Sequence, residues 1–318
     1  MQLHDLNSSA KAPVQILGPD LAYDQRGNVK SDKRTISGIV YTATTYEYDL
    51  ADRIFKVNYP SGRIVTYNRD TTGRITQVTT KKDAAAASVT LANTVVRLPL
   101  SNIVKSMVYG NGLNDFHTFT LDYQLDVLGV YDGASNLVNR AHTRSDNLNL
   151  TNIFDNITPA NNVTLWHTPS NRLQNGDGPW GTRTWFYDGV GNRTQEAATP
   201  VGGATTTDVY GYQSTANRLT QVTRGAQTVR AFTHDGAGNM LTDNRLGPTT
   251  TYTYNKRNRL ASATSGALLW GYTYAGTEQL AIRTLTTGGT NLTHFIHDIF
   301  GNVIAETNGT AAGTTREY

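Results

Sequence analysis

Cysteine is absent from the 318 residues, so disulfide staples and thiolate metal sites are excluded. That absence says nothing of compartment. No apolar run approaches the roughly 18 residues of a membrane-spanning helix. Residues 1–10 carry neither a basic start nor an apolar stretch, so no Sec-type signal peptide is visible. Charge is scarce at 17%, as are apolar residues at 38%, both below the usual share of a globular chain. The net charge of +3 comes from dispersed Lys and Arg, unlike the basic patch of a nucleic-acid binder.

Small polar residues fill the deficit. The chain has 48 Thr, 27 Asn, 29 Gly and 17 Tyr. Thr and Tyr suit pleated strands, whereas Gly and Asn suit turns and weaken helices. The composition is that of an all-β protein with many tight turns. Its length allows one large domain or two ordinary ones.

An internal repeat organises the chain. The pattern reads aromatic, Asp or Asn, two variable residues, Gly or Asn, Asn or Arg, then an apolar residue. Its clear copies begin at Tyr23-Asp24 with Gly27-Asn28, and at Tyr187-Asp188 with Gly191-Asn192. Others begin at Tyr48-Asp49, His234-Asp235 with Gly238, Tyr254-Asn255, and His297-Asp298 with Gly301. Weaker copies begin at Arg69-Asp70, Tyr131-Asp132, Trp166, Tyr212 and Tyr274. From Trp166 onward the steps are 21, 25, 22, 20, 20 and 23 residues. A period near 22 with such slippage fits units of fixed design joined by turns of variable length. Residues 76–120 keep no register, although 108–113 read as a strand ending in a tight turn.

Each position has a physical cause. Asp opening a turn bonds the backbone two residues on, Gly supplies positive φ, and Asn tolerates it. The strand leading in often reads aromatic-x-aromatic, as in Trp185-Phe186-Tyr187 and Tyr252-Thr253-Tyr254, which puts both outer rings on one face. In the strand leading out, Ile75 and Val78, like Leu219 and Val222, stand three apart. They share a face only across a bulge; otherwise the strand faces protein on both sides. Arg53, Arg74, Arg172, Arg193, Arg218 and Arg259 follow the turns, placed to stack on a neighbouring ring or to pair with the next turn's Asp.

These residues resemble the YD repeats of the rearrangement-hotspot (Rhs) family, shared with bacterial insecticidal toxin complexes and animal teneurins. The resemblance covers 20–318 as a YD-repeat segment, degenerate over 76–120, after a lead-in at 1–19. It implies an all-β spiral of antiparallel hairpins that forms a β-shell, of which this chain makes an incomplete segment. It also implies a secreted or cell-surface bacterial protein. The partners implied are the rest of a larger Rhs-type polypeptide and its C-terminal toxin cargo, with self-association through open strand edges. No Asp-Pro dipeptide occurs, so the family's self-cleaving core with its Asp-Pro-x-Gly motif is expected to lie beyond this segment.

Candidate chemistry is weak beside the repeat. His294 and His297 are the closest histidine pair, but a separation of three on a strand sends them to opposite faces, and packing explains them better than metal. Asp24, Asp49, Asp70, Asp132, Asp188, Asp235 and Asp298 fall at turn positions, which accounts for them without glycoside hydrolysis. Gly110-Asn111-Gly112 lacks the remainder of a nucleotide loop, and no nucleophile elbow is present. Seven Asn-x-Ser/Thr sequons follow from composition. Residues 81–87 read as a loop rather than a helical turn. The expectation is a structural wall with no catalytic, cofactor or metal site. The alternative is a recognition or adhesion module binding a glycan or a protein partner, and a carbohydrate-active enzyme is the remote third.

Overall fold

The computed structural model describes residues 16–318, so most of the lead-in segment lies outside the described residues. Among them there are 28 strands, one 3-10 turn at Pro159–Asn161 and no α-helix. The pairings between successive strands are antiparallel. Contacts divide the chain into two compact units, one of residues 16–64, 82–85 and 267–318, the other of residues 65–81 and 86–266.

The second unit is a meander. Strands from Ile75–Lys81 to Leu260–Ser265 pair in chain order, each with the one before it. Turns therefore alternate between two edges. One edge carries the repeat turns at 120–124, 145–149, 168–172, 188–192, 235–239 and 255–259. The opposite edge carries connections as tight as the one between Asp132 and Ser135 and as long as the one around Pro159–Asn161. Variation at that second edge, with one extra residue in the turn 213–218, contributes to the slippage of the period. Two readings are corrected here. Tyr131-Asp132 turns at the opposite edge, and the copy read from Trp166 starts one residue later, because Thr168 N–H bonds Arg172 O at 2.8 Å. Residues 76–120 fold as further hairpins, with Tyr109 N–H bonding Leu113 O at 2.8 Å and Gly112 at φ +91°.

A bulge recurs beside the repeat turns. Tyr187 pairs Arg193 while Phe186 pairs Gln195, leaving Thr194 as the extra residue. Tyr212 with Leu219, His234 with Met240 and Tyr254 with Leu260 show the same shift. The bulge at Thr220 lets Leu219 and Val222 share a face despite their odd spacing.

The two faces of this meander differ in chemistry. On one, Trp185, Glu196, Tyr210, Val222, Phe232 and Asp243 follow from the strand register, and Val222, Phe232 and Asp243 are buried. Arginine binds this face together. Arg224 grips Asp208 at 2.7 and 3.0 Å, Arg230 grips Asp243 at 2.7 Å through both nitrogens, and Arg245 joins that carboxylate at 2.9 Å. Forked pairing of this kind is open to Arg and not to Lys. The other face carries Thr pairs, such as Thr233 with Thr242 at 2.7 Å, and the exposed rings of Phe154, Trp166 and Phe186.

The first unit has a core of its own. Ile36 from the strand Val29–Ile36 and Tyr41, just after the strand Ile39–Val40, pack with Ala281, Ile282, Ile296, Ile304 and Ala305 from the C-terminal strands. Burial of each large aliphatic side chain contributes about 1.5–3 kcal/mol.

Candidate functional site

The repeat turn is one local structure used again and again. Asp24 N–H bonds Asn28 O at 2.9 Å, and Gly27 N–H bonds Asp24 O at 3.1 Å. The Asp24 carboxylate accepts from Arg26 N–H at 2.8 Å and Asn28 N–H at 2.9 Å. Asp49 accepts from Ala51 and Arg53, Asp188 from Val190 and Asn192, Asp235 from Asn239, and Asp298 from Phe300 and Asn302. Asn255 holds the same two bonds with its amide oxygen. The carboxyls of Asp24, Asp49, Asp70, Asp188 and Asp235 are held below the ordinary value by such donors, against the opposing push of partial burial. The Arg53 N–H is the leading cause for Asp49, the Thr72 hydroxyl for Asp70 and the Asn239 amide for Asp235. Such carboxyls are set up as acceptors rather than as proton donors.

The fifth residue of the repeat is left-handed in every five-residue turn, whereas the longer turn at 213–218 has no left-handed residue. Gly27, Gly191, Gly238 and Gly301 have φ of +85, +98, +94 and +88°. Asp52, Tyr123, Leu148, Asn171, Asn258 and Glu278 take the same region without being glycine. The geometry persists where the motif has faded.

The repeat aromatics reach back across the sheet. The hydroxyls of Tyr48, Tyr187, Tyr212 and Tyr254 donate to the carbonyls of Val29, Leu173, Arg193 and Met240 at 2.7–3.0 Å. Each acceptor sits at the apolar place of the preceding repeat turn. Arg97 and Arg144 occupy the aromatic place and donate their guanidinium N–H to the equivalent carbonyls of Ile75 and Leu125. Tyr23 stands apart from this set, with its ring 57% exposed. Turns are also laced side to side: Asn28 bonds Asp52 at 2.8 Å, Asn149 bonds Asn171 at 2.7 Å, and Asn239 bonds Asn258 at 3.2 Å. Of the two roles expected of the post-turn arginines, ring stacking is met, and the link to the next turn is made through its backbone. Arg193 lies 4.4 Å over Tyr210, and Arg172 and Arg218 bind the next turn at the Asp188 and Asp235 carbonyls rather than at the carboxylates.

In the first unit, polar groups cross the core. Tyr41 OH lies 2.7 Å from His294 Nδ1 and 2.8 Å from Thr307 Oγ1, and all three side chains are buried. Nearby, Arg34 binds the buried Asp32 at 2.6 Å and the Asp298 carbonyl at 3.4 Å. Ile299 N–H donates to Tyr46 OH at 3.3 Å, and burial pushes that phenol up. His294 and His297 are thus engaged separately, one with Tyr41 and one beside Arg34 and Asp298. Among the described residues no group of three or more His, Asp or Glu could hold a metal ion. This buried polar seam was missed by sequence reasoning, since its partners stand 253 positions apart.

No family model and no curated protein sequence matches the chain. Solved structures match it well. The crystal structure of TcdB2-TccC3-Cdc42 gives a TM-score of 0.60 over 93% of this chain and 20% of that one, at 12% identity. The fold is shared. TcdB2-TccC3 without its hypervariable C-terminal region gives 0.59 over 93% and 19%, at 11% identity. The Photorhabdus luminescens Tc holotoxin pore gives 0.59 over 90% and 19%, at 12% identity. The chain spans about a fifth of the length of these proteins. Its fold class is the expected one: all-β, antiparallel hairpins of the kind that build the spiral β-shell of Tc toxins.

Proposed function

We propose that the chain is a structural wall segment of an Rhs-type protein that encloses or carries a C-terminal toxin or effector. The observation that supports this reading is the uninterrupted hairpin meander, laced turn to turn, in a fold shared with TcdB2-TccC3. Strands bonded on both sides make a barrier, and stacked turns keep neighbouring hairpins in step. The role is structural, and the repeat residues Tyr48, Asp49, Tyr187, Asp188, Gly191, Asp235, Gly238, Tyr254, Asp298 and Gly301 serve it as turn and lacing groups. The partners are the remainder of a longer polypeptide and its cargo, in an exported bacterial protein. No helix among the described residues is long and apolar enough to cross a membrane.

Protease protection tests the reading. The natural polypeptide that contains this chain is digested with increasing protease, and the segment downstream of Tyr318 is followed by mass spectrometry. Enclosure predicts that this segment outlasts the same segment expressed alone. Equal digestion rates would reject it.

Exposed rings favour a second reading, recognition of a glycan or a protein partner. Trp166 is 46% exposed and Phe186 45%, on the same face, whereas Trp270 is half-buried. Glycan-array binding lost in both Trp166→Ala and Phe186→Ala would support this reading, and an array without signal would reject its glycan form.

A further inference from the structure

We propose that the contact between the N-terminal strands and the strands Thr290–His297 and Val303–Thr307 is a histidine-gated seam that loosens on mild acidification. It concerns how the first unit holds its own strands together, and it stands whatever the wall encloses.

The geometry is unusual for imidazole. His294, Phe295, Ile296 and His297 are four consecutive buried residues, so this strand is covered on both faces. His294 is paired in register with Ile282 and Thr307. Across the seam it meets Tyr41, ring edge to ring face at 6.0 Å and 76°, with the phenol oxygen on Nδ1. Its Nε2 is buried without a partner. In either neutral tautomer only one ring nitrogen carries hydrogen. Protonation puts N–H on both and leaves a cationic Nε2–H without an acceptor, a costly arrangement in a buried site. The titratable group facing His294 from the N-terminal segment is Tyr41, itself pushed up by burial, and it brings no negative charge at neutral pH.

His297 faces a different set. Arg34 on the opposing strand Val29–Ile36 acts on it, and Asp298 follows in the chain; Arg34 in turn binds Asp32, and Tyr46 on Thr44–Tyr48 lies in the same group of charges. Burial and then the Arg34 charge disfavour the imidazolium, and Asp298 opposes them only in part. Burial acts in the same direction on His294. Asp32 works in the opposite sense: burial pushes its carboxyl up against the pull of Arg34, so its proton uptake favours the closed seam.

The sign follows from linkage. Both histidines bind a proton more weakly when folded than in the open chain, where the ordinary value is 6.5. Their contribution is whole above that pH and is lost as pH falls below it toward the folded values. At pH 5.5 each histidine shifts the opening equilibrium by up to about tenfold, and the two together by up to about a hundredfold.

Hydrogen exchange of the full chain, corrected for intrinsic rates and read by mass spectrometry at pH 7.5 and 5.5, tests this. Peptides from Val29–Ile36 and Thr290–His297 are expected to lose protection by tenfold or more at pH 5.5. Peptides from Thr250–Tyr254 and Leu260–Ser265 in the other unit are expected to keep theirs. The His294→Gln/His297→Gln chain should show no such pH step. Seam protection that is unchanged in the parent, or a step that survives in the double variant, overturns the proposal. Should the double variant fail to fold, NMR titration of the two imidazoles in the parent decides: midpoints below 6.5 support the seam, and midpoints at or above 6.5 overturn it.

Discussion

Gly191 sits at φ +98°, and a Cβ built there would stand 3.1 Å from the Arg172 guanidinium. Val at this place meets both backbone strain and the arginine that binds the turn. Gly191→Val is expected to destabilise the chain by about 1–2 kcal/mol, read as a lower urea midpoint. Leu148 takes the same conformation at φ 61°, where Asn is better tolerated, so Leu148→Asn should raise that midpoint. The carboxylates give a pH signature as well. Asp49, Asp70 and Asp235 are held below their ordinary value of 3.8. Their contribution is present above that pH and is lost as pH falls through the lowered values. Asp235→Asn, which can keep the bonds that Asn255 makes, should show a smaller loss of melting temperature between pH 4 and pH 2 than the parent.

Elements built on this turn were legible wherever Asp and Gly survived, as at Asp24 with Gly27 and Asp188 with Gly191. They were illegible at Tyr123 and Leu148, where neighbouring strands impose a left-handed residue that no local propensity favours. The frame slipped by one at Trp166 because His167, the residue in the aromatic place, is less conspicuous than the indole beside it. Arg97 and Arg144 were hidden for a related reason. They supply the same donated hydrogen bond as tyrosine without the aromatic ring that marks the repeat. This gives a test at the level of the hairpin. Tyr254→Phe removes the bond to the Met240 carbonyl and is expected to cost about 1 kcal/mol. Tyr254→Arg should recover part of that loss in the same urea titration, and an arginine variant no better than Phe would show that the ring alone matters.

At the scale of the whole chain, composition and period disclosed the class of fold but not the seam. Tyr41 and His294 have no common periodicity, and only the tertiary path brings them to 2.7 Å. The repeats likewise gave no sign that one face of the meander is locked by forked arginine pairs while the other leaves Phe154, Trp166 and Phe186 exposed. Exposed rings of this kind and bare strand edges favour association. The chain alone is therefore expected to self-associate at micromolar concentration in light scattering, and a monodisperse monomer would contradict an incomplete wall. The most direct test of the wall itself is electron cryomicroscopy of the natural polypeptide. The account predicts hairpins running in chain order, the turns at Asp188 and Asp235 on one edge, and protein density from another segment along one face of the meander. Density showing both faces of those hairpins bare to solvent would contradict it.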